Sequence, residues 1–430
     1  MPLQLAAVIF LTVSGGPYGL EQLYAGVGID GALFLLLVTP ILWDIPTILT
    51  VLELNSLMPV TGGYYQWVRY ALGLRWAFFE GWWTWLYTFL DLAIYPVLFV
   101  TYTSFFFPEV LHYRLPICLV IIWASAILNI LGIVPVGKVS LLLGAMVVVP
   151  FLVMFGWLTH TGHAFSIPAP SLKGTPFSAL SLGIYYVMWN FLGWDNATTY
   201  AGEVNQPVRS YIRSIGLAFL LILGVYLLTT LSVHWSGIDP GTLDSENRGF
   251  PLLGTAIGGR WLGILVAVGG MASQMGLYAA VLLSVSRVPQ VMADDQLLPS
   301  WFCSLHPRFK TPYVSILVSS AIVSVLVLFT FSDLVVMDII LYGAGLFLEF
   351  LALLILRKRE PDRPRPFRIP LPIPGLICMI ALPVAVYMVA LWGTIYSAEK
   401  MWGPVALALG MLVSAPFAWR LIRRRNPNLA

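Results

Sequence analysis

Charge is what this chain has least of. Asp, Glu, Lys and Arg make up 10% of its 430 residues, where soluble domains carry about 25%. That excludes an ordinary soluble domain. A formal net charge of only +3 gives no reason to expect nucleic-acid binding. Cysteine is scarce as well. Cys118, Cys303 and Cys378 share no motif spacing, so neither a disulfide framework nor a metal site is expected. The five histidines lie near segment ends or in loops, without ligand spacing. Walker A, HExxH, paired CxxC and GxSxG patterns are all missing. No enzyme constellation and no cofactor are therefore expected. No basic n-region with a small-residue cleavage site precedes the first apolar run, so a cleavable signal is not expected. The longest polar stretches, 159–177, 236–253, 290–312 and 357–372, leave no place for a second domain.

Apolar sequence is what the chain has in abundance. Hydrophobic residues make up 59%, and the mean hydropathy is +0.86. Twelve segments are long enough to span a bilayer: 4–28, 31–55, 76–107, 115–131, 139–158, 178–204, 211–235, 254–289, 313–331, 334–356, 373–396 and 402–422. The expected fold is an all-α polytopic membrane protein. With a cytoplasmic N-terminus, only Arg114, Lys173, Arg248, Arg260 and Lys400 of the 23 basic residues fall outside. That bias predicts cytoplasmic termini in a multi-pass protein of the cell membrane.

Two of these segments are interrupted. The first holds Ser14-Gly15-Gly16-Pro17-Tyr18-Gly19 at mid-depth; the sixth holds Asn190-Phe191-Leu192-Gly193-Trp194-Asp195. Unwound backbone is costly in hydrocarbon unless it lines a protein cavity. Broken helices at equivalent places in two halves mark the substrate site of secondary transporters. The breaks lie five segments apart, so residues 1–158 and 178–356 read as two inverted five-helix repeats, with 373–422 added. The plain alternative for the first break is a proline-kinked helix without a ligand.

Acids lie inside the spans: Glu21, Asp44, Glu80, Asp91, Asp195 and Glu349. No Lys or Arg is expected at mid-span to pair with them. Such a carboxylate must take a proton, a cation or good hydrogen bonds. Glu21, Asp91 and Asp195 are the candidates for a cationic substrate or a coupling ion. The half-helix starting near Tyr18 aims N–H groups at the cavity, which suits a substrate carboxylate. Ser14, Gly15, Gly16, Tyr18, Gly19, Asn190 and Gly193 are therefore expected in the site. Trp189, one turn before the second break, and Tyr278 are expected to hold an ammonium group by cation–π contact.

Three motifs then carry a resemblance. They are Glu53-Leu54-x-Ser56-x-x-Pro59-x-Thr61-Gly62-Gly63-x-Tyr65-x-x-Val68, Trp189-Asn190-Phe191-x-Gly193-Trp194-Asp195 followed by Gly202-Glu203-Val204-x-x-Pro207, and Ser286-Arg287 with Ala293-Asp294-Asp295-Gln296-Leu297-Leu298-Pro299. In this order the chain resembles the amino acid–polyamine–organocation (APC) superfamily of transporters, closest to its polyamine uptake and L-type amino acid transporter branch. Asp91-x-Ala93-x-Tyr95-Pro96-Val97-Leu98 adds to that likeness. The resemblance implies a LeuT-like fold of twelve helices with discontinuous helices 1 and 6, the substrate between helices 1, 3, 6, 8 and 10, and alternating access. It places Trp189 and Asp195 at the substrate. It implies an amino acid or polyamine as substrate, with H+ as coupling ion and Na+ as the alternative. Exchange, or a transporter-like nutrient receptor without net transport, is the competing reading. Two positions depart from the pattern: Tyr278-Ala279-Ala280-Val281 holds no acid, and Met146–Pro150 holds no lysine.

Overall fold

The computed structural model describes residues 2–132, 138–161, 166–196, 198–199, 207–244, 249–396 and 402–425. Among them every regular element is helical. Backbone N–H and C=O groups have no water partner in hydrocarbon, so helices that satisfy themselves are the form such apolar runs take. The first segment forms α1 (Pro2–Val13), a non-helical stretch, and α2 (Glu21–Thr39). Within α2, Gly28 has φ +71, and the helix is broken by a kink there. A π-turn at Pro40–Asp44 leads into α3 (Ile45–Leu57), then α4 (Gly63–Leu72) and α5 (Leu74–Thr103). Proline lacks the N–H that a regular helix would use at residue 40. Next come α6 (Arg114–Ile130), α7 (Lys138–His160), α8 (Phe177–Asn190) and α9 (Pro207–Ser236). The Gly202–Val204 part of the second motif lies outside the described residues.

The eighth expected segment is not one helix. It divides into α11 (Gly249–Gly258), preceded by the single turn α10 (Gly241–Asp244), then α12 (Arg260–Val285) and α13 (Arg287–Asp294). The Gly258–Gly259 pair makes the break, with Gly259 at φ +84. A hydropathy window cannot see it, because the flanks are equally apolar. The chain ends with α14 (Tyr313–Leu326), α15 (Phe331–Arg359), α16 (Ile373–Tyr396) and α17 (Trp402–Arg425). Nine helical stretches among the described residues are long and apolar enough to span, a multi-pass membrane protein.

α5 and α15 form the centre. Their apolar windows are 83% and 72% buried in protein, against 33% and 22% for α16 and α17, which face outward. α15 starts on a capping box, Thr330 with Asp333. It ends beside the start of α5: Tyr70 donates to Glu360 Oε1 (2.6 Å), and Arg359 Nη2 donates to the Tyr70 carbonyl (2.7 Å). The two helices therefore run antiparallel. The Tyr70 hydroxyl and Arg363 hold the exposed Glu360 carboxyl below its ordinary range. At the same end Glu53 is buried against two arginines. Arg357 binds it through Nε and through Nη2 (2.6 Å), Arg365 Nε lies 3.4 Å away, and the Ile369 N–H donates to it (2.9 Å). The resemblance motif that begins at Glu53 thus ends in a buried ion-pair anchor between α3 and α15.

Candidate functional site

The first break begins where α1 runs out of carbonyl partners. Ser14 N–H and Gly15 N–H both fall on the Phe10 carbonyl (3.0 Å each). Gly15, Gly16 and Gly19 then take φ of +60, +99 and +96. These positions need glycine twice over. The left-handed backbone disfavours a side chain, and there is no room for one. A Cβ at Gly15 would lie 2.4 Å from Leu277 Cδ1, at Gly16 2.3 Å from Val147 Cγ1, and at Gly19 2.7 Å from Trp189 Cζ3. Ser273 donates to the Gly15 carbonyl.

The second break meets the first. α8 ends at Asn190, and Gly193, at φ +97, lies beside the Thr12 carbonyl, where a Cβ would sit in ordinary contact at 3.5 Å. Tyr226 of α9 links the two breaks. Its hydroxyl is 2.5 Å from Ser14 Oγ and donates to the Asn190 carbonyl (2.8 Å). Nothing in the sequence pointed to Tyr226, since a tyrosine in an apolar helix has no motif of its own.

Between the breaks lies a cavity of about 10 Å³ lined by Thr12, Val13, Ser14, Asp91, Tyr95, Trp189, Leu192 and Leu277. That is room for about one water, so this conformation is closed. Asp91 is the acid on its wall. Its carboxyl accepts from the Tyr95 hydroxyl at Oδ2 (2.6 Å) and from Trp189 Nε1 at Oδ1 (3.1 Å). Trp189 also stands edge-on to Phe331, with ring centroids 5.4 Å apart. Asp91, Trp189 and Ser14 are thus brought together.

Other expected residues are placed elsewhere. Glu21 does not face the cavity. Its Oε2 accepts from Gly19 N–H (2.6 Å), and its Oε1 accepts from Tyr102 (3.0 Å) and from Phe250 N–H (3.4 Å). Gly16 N–H is taken by Ser14 Oγ (3.0 Å). The Gly15, Gly16 and Gly19 N–H groups are thus engaged, and a carboxylate from the chain itself already lies at the N-terminal end of α2. Tyr18 donates to the Val266 carbonyl (2.7 Å) and packs edge-on against Tyr102. Tyr278 turns toward Ser320 of α14 and is not among the cavity-lining residues. Asn190 bonds within its own helix, through Nδ2 to the Tyr186 carbonyl (2.9 Å).

Asp195 points away from the cavity, into the contact between α5 and α15. Tyr342 donates to its Oδ1 (3.0 Å), and Glu80 and Glu349 are its acidic neighbours. Asp338, also buried and with neither carboxyl oxygen partnered, lies within electrostatic reach of Asp91. Sequence reasoning passed over it because it sits near the start of its segment. Its spacing from Tyr342 and Glu349, four and eleven residues, would have put all three on one face. Asp44 accepts from Trp194 Nε1 at 3.4 Å.

The family model described as amino acid permease matches residues 2–410. The chain belongs to that family. It is a transporter-family protein and not an enzyme. It is 33% identical over 414 residues to the polyamine transporter PUT1 of Oryza sativa subsp. japonica, covering 94% of this chain and 75% of that one. It is 33% identical over 389 residues to the polyamine transporter RMV1 of Arabidopsis thaliana, covering 89% and 78%. The serine/threonine exchanger SteT of Bacillus subtilis (strain 168) is 24% identical over 346 residues, covering 75% and 74%.

Proposed function

We propose that this permease is a secondary active transporter that carries small organic cations, polyamines first among them, by alternating access and with proton coupling. The observation that carries the reading is the cavity at the crossing of the two breaks. Its one acid, Asp91, is presented between Trp189 and Tyr95. A buried carboxylate beside aromatic faces suits an ammonium group, which gains charge-assisted hydrogen bonds and cation–π contact together. A substrate carboxylate would meet Glu21 already seated on Gly19 N–H, and like charges in one buried site repel. The polyamine transporters among the relatives support the same class.

The likeness to a serine/threonine exchanger favours a second reading, exchange of neutral amino acids. In that case Glu21 must leave Gly19 to admit the substrate carboxylate. The architecture that goes with either reading is twelve helices in a LeuT-like arrangement. Residues 1–158 and 178–356 form the inverted repeats, 373–422 the added pair, and both termini lie in the cytoplasm.

Uptake into proteoliposomes under an inward proton gradient tests this, with radiolabelled putrescine, arginine and alanine in parallel. Gradient-driven putrescine or arginine uptake is the expected result. Alanine uptake alone would replace this reading with the second.

A further inference from the structure

The antiparallel helices α5 and α15 face each other with matched polar residues. On α5 these are Asp91, Tyr87, Thr84 and Glu80; on α15 they are Asp338, Tyr342 and Glu349, with Gly345 opposite Glu80 leaving room for its carboxyl. Both series step by four, three and four residues, which keeps each on a single helix face. They also lie opposite one another. Asp91 is the acidic neighbour of Asp338. The Tyr87 and Tyr342 rings stand edge-on with centroids 5.3 Å apart. A Cβ at Gly345 would lie 3.0 Å from Glu80 Oε1, and Glu80 and Glu349 are mutual neighbours of Asp195. At 1.5 Å per residue the series spans about 16 Å, from the cavity wall toward the end that carries Glu53 and Arg357.

The lower end of the series has the marks of a site. Glu80 and Glu349 are each 1% exposed, and Oε2 of both lacks a hydrogen-bond partner. The Tyr64 hydroxyl, brought in by α4 and fully buried, is also unpartnered, and it faces Asp195, Glu80 and Glu349. Asp44, on the π-turn, lies within electrostatic range of Tyr342. The ion pairs formed by described residues do not reach this seam: Arg357 and Arg365 are committed to Glu53. Thr84 reaches Glu80 Oε1 only at 3.4 Å, so these carboxyls have few donors and no counter-charge, the setting in which a buried carboxyl binds a proton.

We infer that the facing polar residues of α5 and α15 form a proton path, with Glu80 and Glu349 as the proton-binding pair at its inner end. This rests on the transport reading above. A proton that arrives at Asp91 from the cavity passes to Asp338. The Tyr342 hydroxyl, one turn away on the same face, accepts it and releases its own proton to Asp195, to which it already donates, and Asp195 passes a proton to Glu80 or Glu349. Each step breaks one O–H bond and makes one. Asp91 is left charged to hold the substrate ammonium while the proton sits on the Glu80–Glu349 pair, so that both cross together.

The test is [14C]putrescine accumulation in proteoliposomes holding the full chain, with pyranine inside to follow protons. One pH unit, inside alkaline, drives about tenfold accumulation per coupled proton. Glu349→Gln and Glu80→Gln should bring accumulation down to equality and silence the pyranine signal. Putrescine–putrescine exchange at equal pH should stay close to wild type. Glu349→Asp, which restores a carboxyl, should recover part of the accumulation. Variants that still accumulate, or that lose exchange together with accumulation, overturn the path. Wild-type exchange that ignores the gradient also overturns it. A wild-type protein that takes up no putrescine under any condition overturns instead the reading on which the path rests.

Discussion

Replacing Asp91 by asparagine isolates the charge at the cavity wall. The swap keeps the shape, and the local bonds can survive it. Trp189 Nε1 still finds an oxygen at Oδ1, and the Tyr95 hydroxyl, now a donor to Oδ2, can rotate to accept from the new amide. The fold should therefore hold, while the substrate's ammonium loses its counter-charge. A hydrogen bond to a charged group contributes about 1.5–3 kcal/mol, and 1.4 kcal/mol is a factor of ten in affinity, so putrescine should bind roughly 10- to 150-fold more weakly. Scintillation proximity binding in detergent measures this directly, with thermal unfolding as the check on folding. Binding of putrescine by Asp91→Asn at wild-type strength, in a protein of unchanged stability, would refute the role of Asp91. A large loss of stability would show that Tyr95 cannot make the switch.

The glycine stretch should be intolerant of any side chain. Gly16→Ala combines a left-handed backbone with a Cβ 2.3 Å from Val147, a penalty of about 1–3 kcal/mol from each source; an unchanged unfolding temperature would count against it. Glu53→Gln leaves Arg357 and Arg365 buried without a counter-charge and should cost about 3–5 kcal/mol, read as lower yield and melting temperature. Pairing it with Arg357→Met should recover part of that loss. Tyr226→Phe removes the link between Ser14 and Asn190 and should destabilise by about 1–3 kcal/mol while slowing uptake, whereas equal uptake would make the link incidental. Glu360, held below its usual range by Tyr70 and Arg363, contributes stability at neutral pH that is lost as pH falls through the lowered value. Glu360→Gln should therefore flatten the acid limb of the stability–pH profile, and an unaltered limb would sink that account.

The class of fold was legible from the chain alone, because burying backbone in lipid permits so few solutions. Scarce charge and long apolar runs led to a helical membrane protein. Glycine and proline at mid-span led to the breaks, since no other residue types give an unwound backbone there. Trp189 was singled out by its place one turn before the second break and Asp91 only as an acid inside a span; that the two meet was not legible in the sequence. Tertiary structure decided the direction of each polar group. Glu21 and Asp195 flank the breaks equally in sequence, yet Glu21 folds back to accept from Gly19 N–H and Phe250 N–H, and Asp195 joins Glu80 and Glu349. The split at Gly259 was hidden because hydropathy does not register a turn between two apolar helices. The meeting of α5 with α15 was hidden for a deeper reason. Either helix alone shows a few scattered acids. Only an antiparallel contact in one particular register sets Asp91 against Asp338 and Glu80 against Glu349, and register is a property of packing, which no local sequence pattern encodes.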